Sequence, residues 1–136
     1  MLDVTFHDNR DFTLEDVLPI YVACKWSSSQ KPDLLLAALR NSHTVLHARV
    51  GDRMIGIGNA ISDGHLVVYY PHLLIHPDFA RRGVGSGIMK RLSERYAHFH
   101  QQMLTADADA ANFYERCGFT RAGKTIPMWV YDGHDH

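Results

Sequence analysis

A turn rich in glycine and arginine, at residues 75–87, carries the clearest chemical signal in the sequence. It reads IHPDFARRGVGSG and lies between a predicted strand and a predicted helix. Glycine has no Cβ, so Gly83, Gly85 and Gly87 let the backbone turn tightly and approach a ligand. The N–H groups that precede a helix favour an anion, and Arg81 and Arg82 add positive charge. The turn predicts a site for a pyrophosphate, although a purely structural turn would use the same glycines.

Two common phosphate-binding motifs do not fit this turn. A Walker A loop places a lysine directly after its last glycine, whereas Lys90 follows Met89. The Rossmann fingerprint needs a third glycine where this chain has Ile88. It also comes early in a βαβ unit, whereas here a meander of antiparallel strands is predicted to precede the turn.

The composition is that of an ordinary globular domain, and we expect residues 1–136 to form a single one. Hydrophobic residues make up 46% and charged residues 21% of the 136 residues, and the formal net charge is −1. This charge argues against a nucleic-acid partner, which would require an excess of Lys and Arg. We expect no membrane span, no signal peptide and a cytoplasmic location, with Cys24 and Cys117 as free thiols and no metal site.

The periodicity of apolar residues predicts a mixed α/β domain. The predicted strands span residues 2–6, 44–50, 54–61, 66–75, 102–106, 119–121 and 128–131. The predicted helices span residues 17–25, 31–41, 85–100 and 107–117, with Asp16 and Asp107 as N-caps and Gly118 as the residue that ends the last helix.

Two features of the predicted sheet bear on the site. Residues 44–50 alternate, which predicts that His47 and Arg49 face solvent. The run at 66–75 is almost continuously apolar and should be central, but Pro71 cannot donate a hydrogen bond to a neighbouring strand. We therefore expect a bulge or a missing pairing at Pro71.

Two segments in order resemble the signatures of the GNAT superfamily of N-acetyltransferases. The stretch LLIHPDFARRGVGSGIMKRL is similar to its central coenzyme A-binding motif, and AANFYERCGF to its second motif. The predicted order of elements also matches, so the resemblance covers roughly residues 2–131. Two alignments of the first motif are open. One matches Gly83-Val84-Gly85 and puts Ala80 at the family's Gln/Arg position, whereas the other begins the motif at Arg82 and starts the helix later.

The resemblance implies a mixed, mostly antiparallel sheet whose middle strands splay apart, with acetyl-CoA in the opening. The implied cofactor-binding residues are Leu73, Leu74 and Ile75 for the pantetheine arm, Arg81, Arg82, Gly83, Val84, Gly85 and Ser86 for the pyrophosphate, and Asn112 for the arm. The implied activity is acetyl transfer from acetyl-CoA to a primary amine of a small molecule, by direct attack in a ternary complex. A catalytically weak module that senses acyl-CoA is the alternative.

The resemblance also implies that Tyr114 lies near the thioester sulfur, where its phenol would act as the general acid. His72 is a candidate general base because histidine titrates near neutral pH. The alternative, of equal weight, is that His72 is a structural residue on a half-exposed face of the sheet. Tyr21, Trp26 and Tyr69 are candidates for an acceptor pocket. The resemblance also leads us to expect a homodimer, because members of the family often dimerise, and the predicted strand at 128–131 could pair at a sheet edge.

Overall fold

The computed structural model describes residues 2–134 as an α/β domain with a mostly antiparallel sheet flanked by helices. The strands are β1 (Val4–His7), β2 (Thr44–Val50), β3 (Arg53–Ser62), β4 (Val67–Tyr69), β5 (Leu73–Ile75) and β6 (Gln101–Met103). The helices are α1 (Leu14–Ala23), α2 (Pro32–Arg40), α3 (Val84–Arg95) and α4 (Ala111–Arg116), and the short 3₁₀ turns are Ser27–Gln30, Pro77–Phe79 and Ala108–Ala110. The fold class expected from the sequence is confirmed.

The sheet has the order β1-β2-β3-β4-β6, and β5 also pairs with β3. All pairs are antiparallel except β4 with β6, which run parallel. The predicted single strand at 66–75 is therefore wrong, because the chain leaves the ladder around Pro71 and forms two short strands. The expected irregularity at this proline is confirmed.

Helices cover both faces of the sheet. Ile88, Met89 and Leu92 of α3 pack on one face in a cluster that includes Leu46 and Ala48. On the other face, side chains of α1 and α2 join a cluster that includes Val45 and Ile57. The central strands β2 and β3 are therefore buried on both sides over most of their length.

This double coverage corrects the prediction for His47. Its side chain is fully buried against an edge of Phe12, not exposed. Arg49 Nε donates to His47 Nδ1 at 3.3 Å, and His47 Nε2 lies 3.3 Å from Asn9 Oδ1, so a neutral ring protonated on Nε2 satisfies both contacts. Arg49 also reaches Asp16 at 3.5 Å, which anchors α1 on this face.

The ends of three helices differ from the prediction. α1 starts at Leu14, since Thr13 is its N-cap and the Thr13 N–H donates to Asp16 Oδ2 at 2.8 Å. α3 ends at Arg95, because the buried Tyr96 leaves helical geometry and its hydroxyl lies 2.6 Å from Thr44 Oγ1. α4 is shorter than predicted, and its first turn is the 3₁₀ turn Ala108–Ala110.

A Schellman motif ends α4, as the glycine at 118 predicts. The N–H of Phe119 donates to Tyr114 O at 3.0 Å, and that of Gly118, with φ +99°, to Glu115 O at 3.1 Å. The final strands predicted at 119–121 and 128–131 are not formed. Nearly all side chains of 120–132 are exposed, so this stretch adds little to the core.

The buried His47 makes stability depend on pH. Burial lowers the pKa of His47 from 6.5 to about 4, and the neighbouring Arg49 adds to this effect. Between these two values the unfolded chain takes up a proton that the folded chain excludes, so the free energy of unfolding should fall as pH falls, by on the order of 3 kcal/mol. Urea unfolding across this range, with His47→Gln as the comparison, measures the effect. The variant should lose this part of the pH dependence, and equal slopes in both proteins would show that His47 is not responsible.

Candidate functional site

A bulge at Pro71 opens the sheet. Tyr70, Pro71 and His72 stand opposite only Asn59 and Ala60 of β3. Asn59 compensates on both sides: its backbone N–H donates to His72 O at 3.1 Å, and its side-chain Oδ1 accepts the His72 N–H at 3.0 Å. Its Nδ2 donates to Ser42 Oγ at 3.0 Å, so the buried amide is fixed in place. Before the bulge, β4 pairs with both β3 and β6, whereas β5, after the bulge, pairs with β3 and not with β6.

The register of β5 shows which of its backbone groups are open. The His76 N–H donates to Ile55 O at 2.8 Å, and His72 O accepts from Asn59, so residues 72 and 76 face β3. Leu74 lies midway between them and also faces β3, opposite Ile57. Because backbone groups alternate in direction along a strand, those of Leu73 and Ile75 point away from β3. Of the three residues expected to hold a pantetheine arm, only Leu73 and Ile75 have their backbone N–H and C=O groups on the open edge of β5.

The thiol of Cys24, at the end of α1, lies on this open edge. Its Sγ donates to Ile75 O at 3.3 Å, and burial raises the pKa of the thiol. The thiol therefore stays protonated and acts as a weak donor, not as a nucleophile. No pattern in the sequence predicted that Cys24 would lie at this edge.

A cavity of about 190 Å³ lies where the sheet opens. It is lined by Trp26, Tyr70, Pro71, Leu73, Thr105, Ala106, Asp107, Ala110 and Tyr114. These side chains come from the loop after α1, the bulge and the start of β5, the chain after β6, and the 3₁₀ turn and helix α4 that follow it. Two predicted site residues from distant parts of the sequence, Trp26 and Tyr114, thus line the same cavity.

Tyr114 is held by packing. Its ring meets Phe113 and Phe119 edge-on, with centroids 5.0 and 6.2 Å apart, and the second contact closes the Schellman motif. Burial, with smaller contributions from Cys117 and Asp107, raises the pKa of Tyr114 to about 12. The phenol is therefore a hydrogen-bond donor throughout the neutral pH range.

His72 lies beside this cavity. Its Nδ1 is 2.7 Å from the hydroxyl of Tyr21, and its ring is 5.1 Å from that of Trp26, which it meets edge-on. Tyr21 is fully buried, and burial raises the pKa of its hydroxyl. Tyr21 is thus a partner of His72 and not an exposed pocket wall. Tyr69 lies outside the cavity, because it follows Val68 on β4 and its side chain points to the opposite face from that buried residue.

The glycine-rich turn ends at the N-terminus of α3. Gly83 is the N-cap with φ +80°, and a Cβ there would meet nothing within 4 Å. The first bond of the ladder runs from the Gly87 N–H to Gly83 O at 3.0 Å, so the N–H groups of Val84, Gly85 and Ser86 have no carbonyl in a preceding turn. The helix begins at Val84, as the alignment on Gly83-Val84-Gly85 requires.

Glycine is needed at each of the three positions of this turn for a different structural reason. A Cβ on Gly85 would lie 3.2 Å from the ring of Phe113, so this glycine lets α4 approach α3. A Cβ on Gly87 would overlap the ring of Phe6 in β1. Only Gly83 is free of such packing, and its left-handed backbone shapes the turn that exposes the helix N-terminus.

The charge at this turn is positive. Arg81 and Arg82 are exposed, and Arg81 has φ +62°, a left-handed conformation that costs a non-glycine residue about 1 kcal/mol. Asn112, on α4, is also exposed. A turn of this kind, with unpaired N–H groups and two guanidinium groups, can bind a phosphate ester.

Sequence reasoning missed Asn59, although a signal was present. It is the single polar residue in the otherwise apolar run Met54–Ile61.

Within residues 2–134, no cluster of His, Cys, Asp or Glu has the arrangement of a metal site. Within the same range, no helix has the length and apolar character that crossing a membrane requires.

Comparison with known proteins gives the family. The sequence profile of the acetyltransferase (GNAT) domain matches residues 41–121. The uncharacterized N-acetyltransferase ycf52 of Pyropia yezoensis is 23% identical over 125 residues, which are 88% of this chain and 71% of that protein.

Solved structures agree. A GNAT-family acetyltransferase, SP0256 of Streptococcus pneumoniae, superposes with a TM-score of 0.83 at 26% identity, over 96% of this chain and all of that one. The glucosamine-6-phosphate N-acetyltransferase of Arabidopsis thaliana shares the fold at 12% identity, with a TM-score of 0.72 over 96% of this chain and 99% of that one. The splayed sheet, the glycine-rich turn and these matches together show that the chain belongs to the GNAT family of acetyltransferases.

Proposed function

We propose that the protein transfers the acetyl group of acetyl-CoA to a primary amine of a small molecule, by direct attack in a ternary complex. The observation that carries this proposal is the continuity of three features along one stretch of chain. Leu73 lines the cavity beside Tyr114, Leu73 and Ile75 present an open strand edge, and the chain then forms the turn at the α3 N-terminus.

These features fit the three parts of coenzyme A. A pyrophosphate suits the unpaired N–H groups of α3 and the charges of Arg81 and Arg82. The amide groups of a pantetheine arm suit the outward backbone groups of Leu73 and Ile75, which would bind it as an added strand. The arm would then lead to the cavity, where Asn112 and Tyr114 lie on the neighbouring helix. When bound, the thioester supplies an acetyl group and a thiolate leaving group.

Tyr114 has the properties of the proton donor for that leaving group. Its ring orientation is fixed by two aromatic neighbours, and its hydroxyl keeps its proton because of burial. A donor aimed at the sulfur stabilises negative charge that develops only in the transition state. A module that merely senses acyl-CoA has no need of this hydroxyl.

His72 is the proposed base, oriented by Tyr21. The 2.7 Å contact between His72 Nδ1 and the Tyr21 hydroxyl fixes the ring, and the buried phenol stays neutral. Trp26 packs against the rings of both Tyr21 and His72 and also lines the cavity. A substrate in the cavity would therefore contact Trp26 close to His72. Trp26 is thus a proposed contact for the acceptor amine, whereas Tyr21 positions His72.

The proposed binding of the pyrophosphate by the turn before α3 is tested by Gly83→Ala. A Cβ at this left-handed position strains the turn by about 1–2 kcal/mol and should tilt the N–H groups, so the affinity for acetyl-CoA should fall at least about tenfold. Isothermal titration calorimetry measures it. Gly123→Ala is the matched control, because Gly123 has φ +67° and equally open space in a distant turn. Equal affinities of the two variants for acetyl-CoA would show that this turn does not bind the pyrophosphate.

The proton donor is tested by Tyr114→Phe. Losing only a hydroxyl should lower kcat by about 10²-fold, the lower end of general acid catalysis, while acetyl-CoA affinity and melting temperature stay nearly constant. Free-thiol release on an amine that the wild type accepts gives kcat. Since burial raises the pKa of Tyr114 to about 12, the wild-type kcat should show no loss from this group up to pH 10. A kcat within about twofold of wild type would leave Tyr114 a packing residue, provided that chemistry limits the rate.

The base is tested by His72→Gln beside Tyr21→Phe. A neutral imidazole acts above its pKa, so His72→Gln should lose most activity on the alkaline side and flatten the acidic limb of kcat/KM. Tyr21→Phe should keep that limb and lower its plateau by about fivefold, as expected for one lost hydrogen bond. If His72→Gln keeps the wild-type profile, the histidine is structural and the amine loses its proton to water.

A further inference from the structure

Tyr70 occupies the corner at which the sheet opens. Its backbone N–H donates to Met103 O at 3.1 Å, and the next residue, Pro71, lies in the bulge between β4 and β5. Tyr70 is only 4% exposed, and it lines the candidate-site cavity of about 190 Å³ together with Tyr114. Tyr70 is therefore a buried lining residue of the same cavity as the proposed proton donor.

A second, larger space lies behind Tyr70. This groove of about 530 Å³ lies between α3 and the end of α4, and Gln102 and Phe119 are among its lining residues. Tyr70 contacts both of them. Its hydroxyl donates to Gln102 Oε1 at 2.6 Å, and its ring meets that of Phe119 edge-on, with centroids 6.1 Å apart. Tyr70 thus reaches from the lining of the cavity to the lining of the groove, and together with Phe119 it separates the two spaces.

Hydrogen bonds fix the Tyr70 side chain in this position. Gln102 Nε2 donates to Ser93 O at 3.3 Å and to Tyr96 O at 3.1 Å, which are carbonyls in the last turn of α3 and just after it. Because carbonyls at a helix end lack partners within the helix, these bonds orient the amide and leave Oε1 toward Tyr70. Burial raises the pKa of Tyr70, so its hydroxyl keeps the proton that it donates. The phenol is therefore held at both its backbone and its hydroxyl end.

The cavity is small for the groups that the proposed reaction places in it. A water molecule occupies about 30 Å³ in the liquid, so a cavity of about 190 Å³ holds roughly six groups of that size. The sulfur, carbonyl carbon, oxygen and methyl group of an acetyl thioester take most of this space, and the attacking amine needs the rest. A butyryl group has two more methylene groups and would have to displace part of the lining.

We propose that Tyr70 determines acyl-group specificity, because it closes the cavity against the groove and so restricts the enzyme to short acyl groups. This inference rests on the proposed function, in which the thioester lies beside Tyr114. A shorter side chain at position 70 would join the cavity to the groove and leave room for a longer acyl chain. Ala97 and Phe119 line the groove, so an alkyl chain that enters it would contact apolar surface.

The test compares butyryl-CoA with acetyl-CoA as donors to the same amine. One extra methylene group in a closed apolar pocket changes kcat/KM by about 10–200-fold, so the wild type should favour acetyl-CoA by at least about tenfold. Tyr70→Leu and Tyr70→Ala should raise the ratio of kcat/KM for butyryl-CoA to that for acetyl-CoA by about tenfold, the effect of burying two methylene groups. Unfolded protein lowers both rates equally, so the ratio remains valid even for a destabilised variant.

Two further variants serve as controls. Tyr70→Phe keeps the ring between the two spaces and should keep the acetyl preference within about threefold of the wild type. Tyr69→Leu changes the neighbouring tyrosine of β4, which lies outside the cavity, and should leave the ratio unchanged. A purely structural role of Tyr70 would lower the rates with both donors and would not change their ratio.

Equal ratios in the wild type, Tyr70→Leu and Tyr70→Ala would overturn the proposal, and so would a wild type that uses butyryl-CoA as well as acetyl-CoA. Where no amine is turned over, dissociation constants of the two thioesters, measured by calorimetry without an amine, give the same comparison. Binding of neither thioester would contradict the proposed function, and the role of Tyr70 with it. Binding of both with the same ratio in every variant would contradict only the role of Tyr70.

Discussion

The site depends on the buried amide of Asn59. The bulge at Pro71 leaves a backbone N–H without a partner on the next strand, and an unpaired buried N–H costs about 1–3 kcal/mol. Asn59 Oδ1 takes the N–H of His72, while Ser42 fixes the amide from the other side. With this bulge in place, β6 pairs with β4 but not with β5, so Leu73 and Ile75 face an open slot, and His72 lies beside Tyr21.

The packing of α3 is the second constraint. Gly85 lets Phe113 approach, and Gly87 lets Phe6 approach, so the helix is clamped between α4 and β1. The same clamp holds α4, whose Schellman turn aligns Tyr114 with Phe119. Glycines that lie within a phosphate-binding motif therefore also join the two helices on which the proposed chemistry depends.

The sequence predicted the fold class, the bulge at Pro71, the helix end at Gly118 and the turn before α3, because each rests on local backbone chemistry. It did not predict the burial of His47, since strand alternation does not reveal that helices cover both faces. It also did not predict the pairing of Tyr21 with His72, which are 51 residues apart. The strands expected at 119–121 and 128–131 have suitable residues, but strand formation needs a partner edge, and local sequence does not specify one.

In the proposed function, the open edge of β5 binds the pantetheine arm of coenzyme A. Amide hydrogen exchange of Leu73, Leu74 and Ile75, measured by NMR with and without coenzyme A, tests it directly. Leu74 faces β3 and serves as the internal control. Coenzyme A should slow exchange at Leu73 or Ile75 and leave Leu74 unchanged. No change at either outward amide under saturating coenzyme A would mean that the arm does not pair with β5.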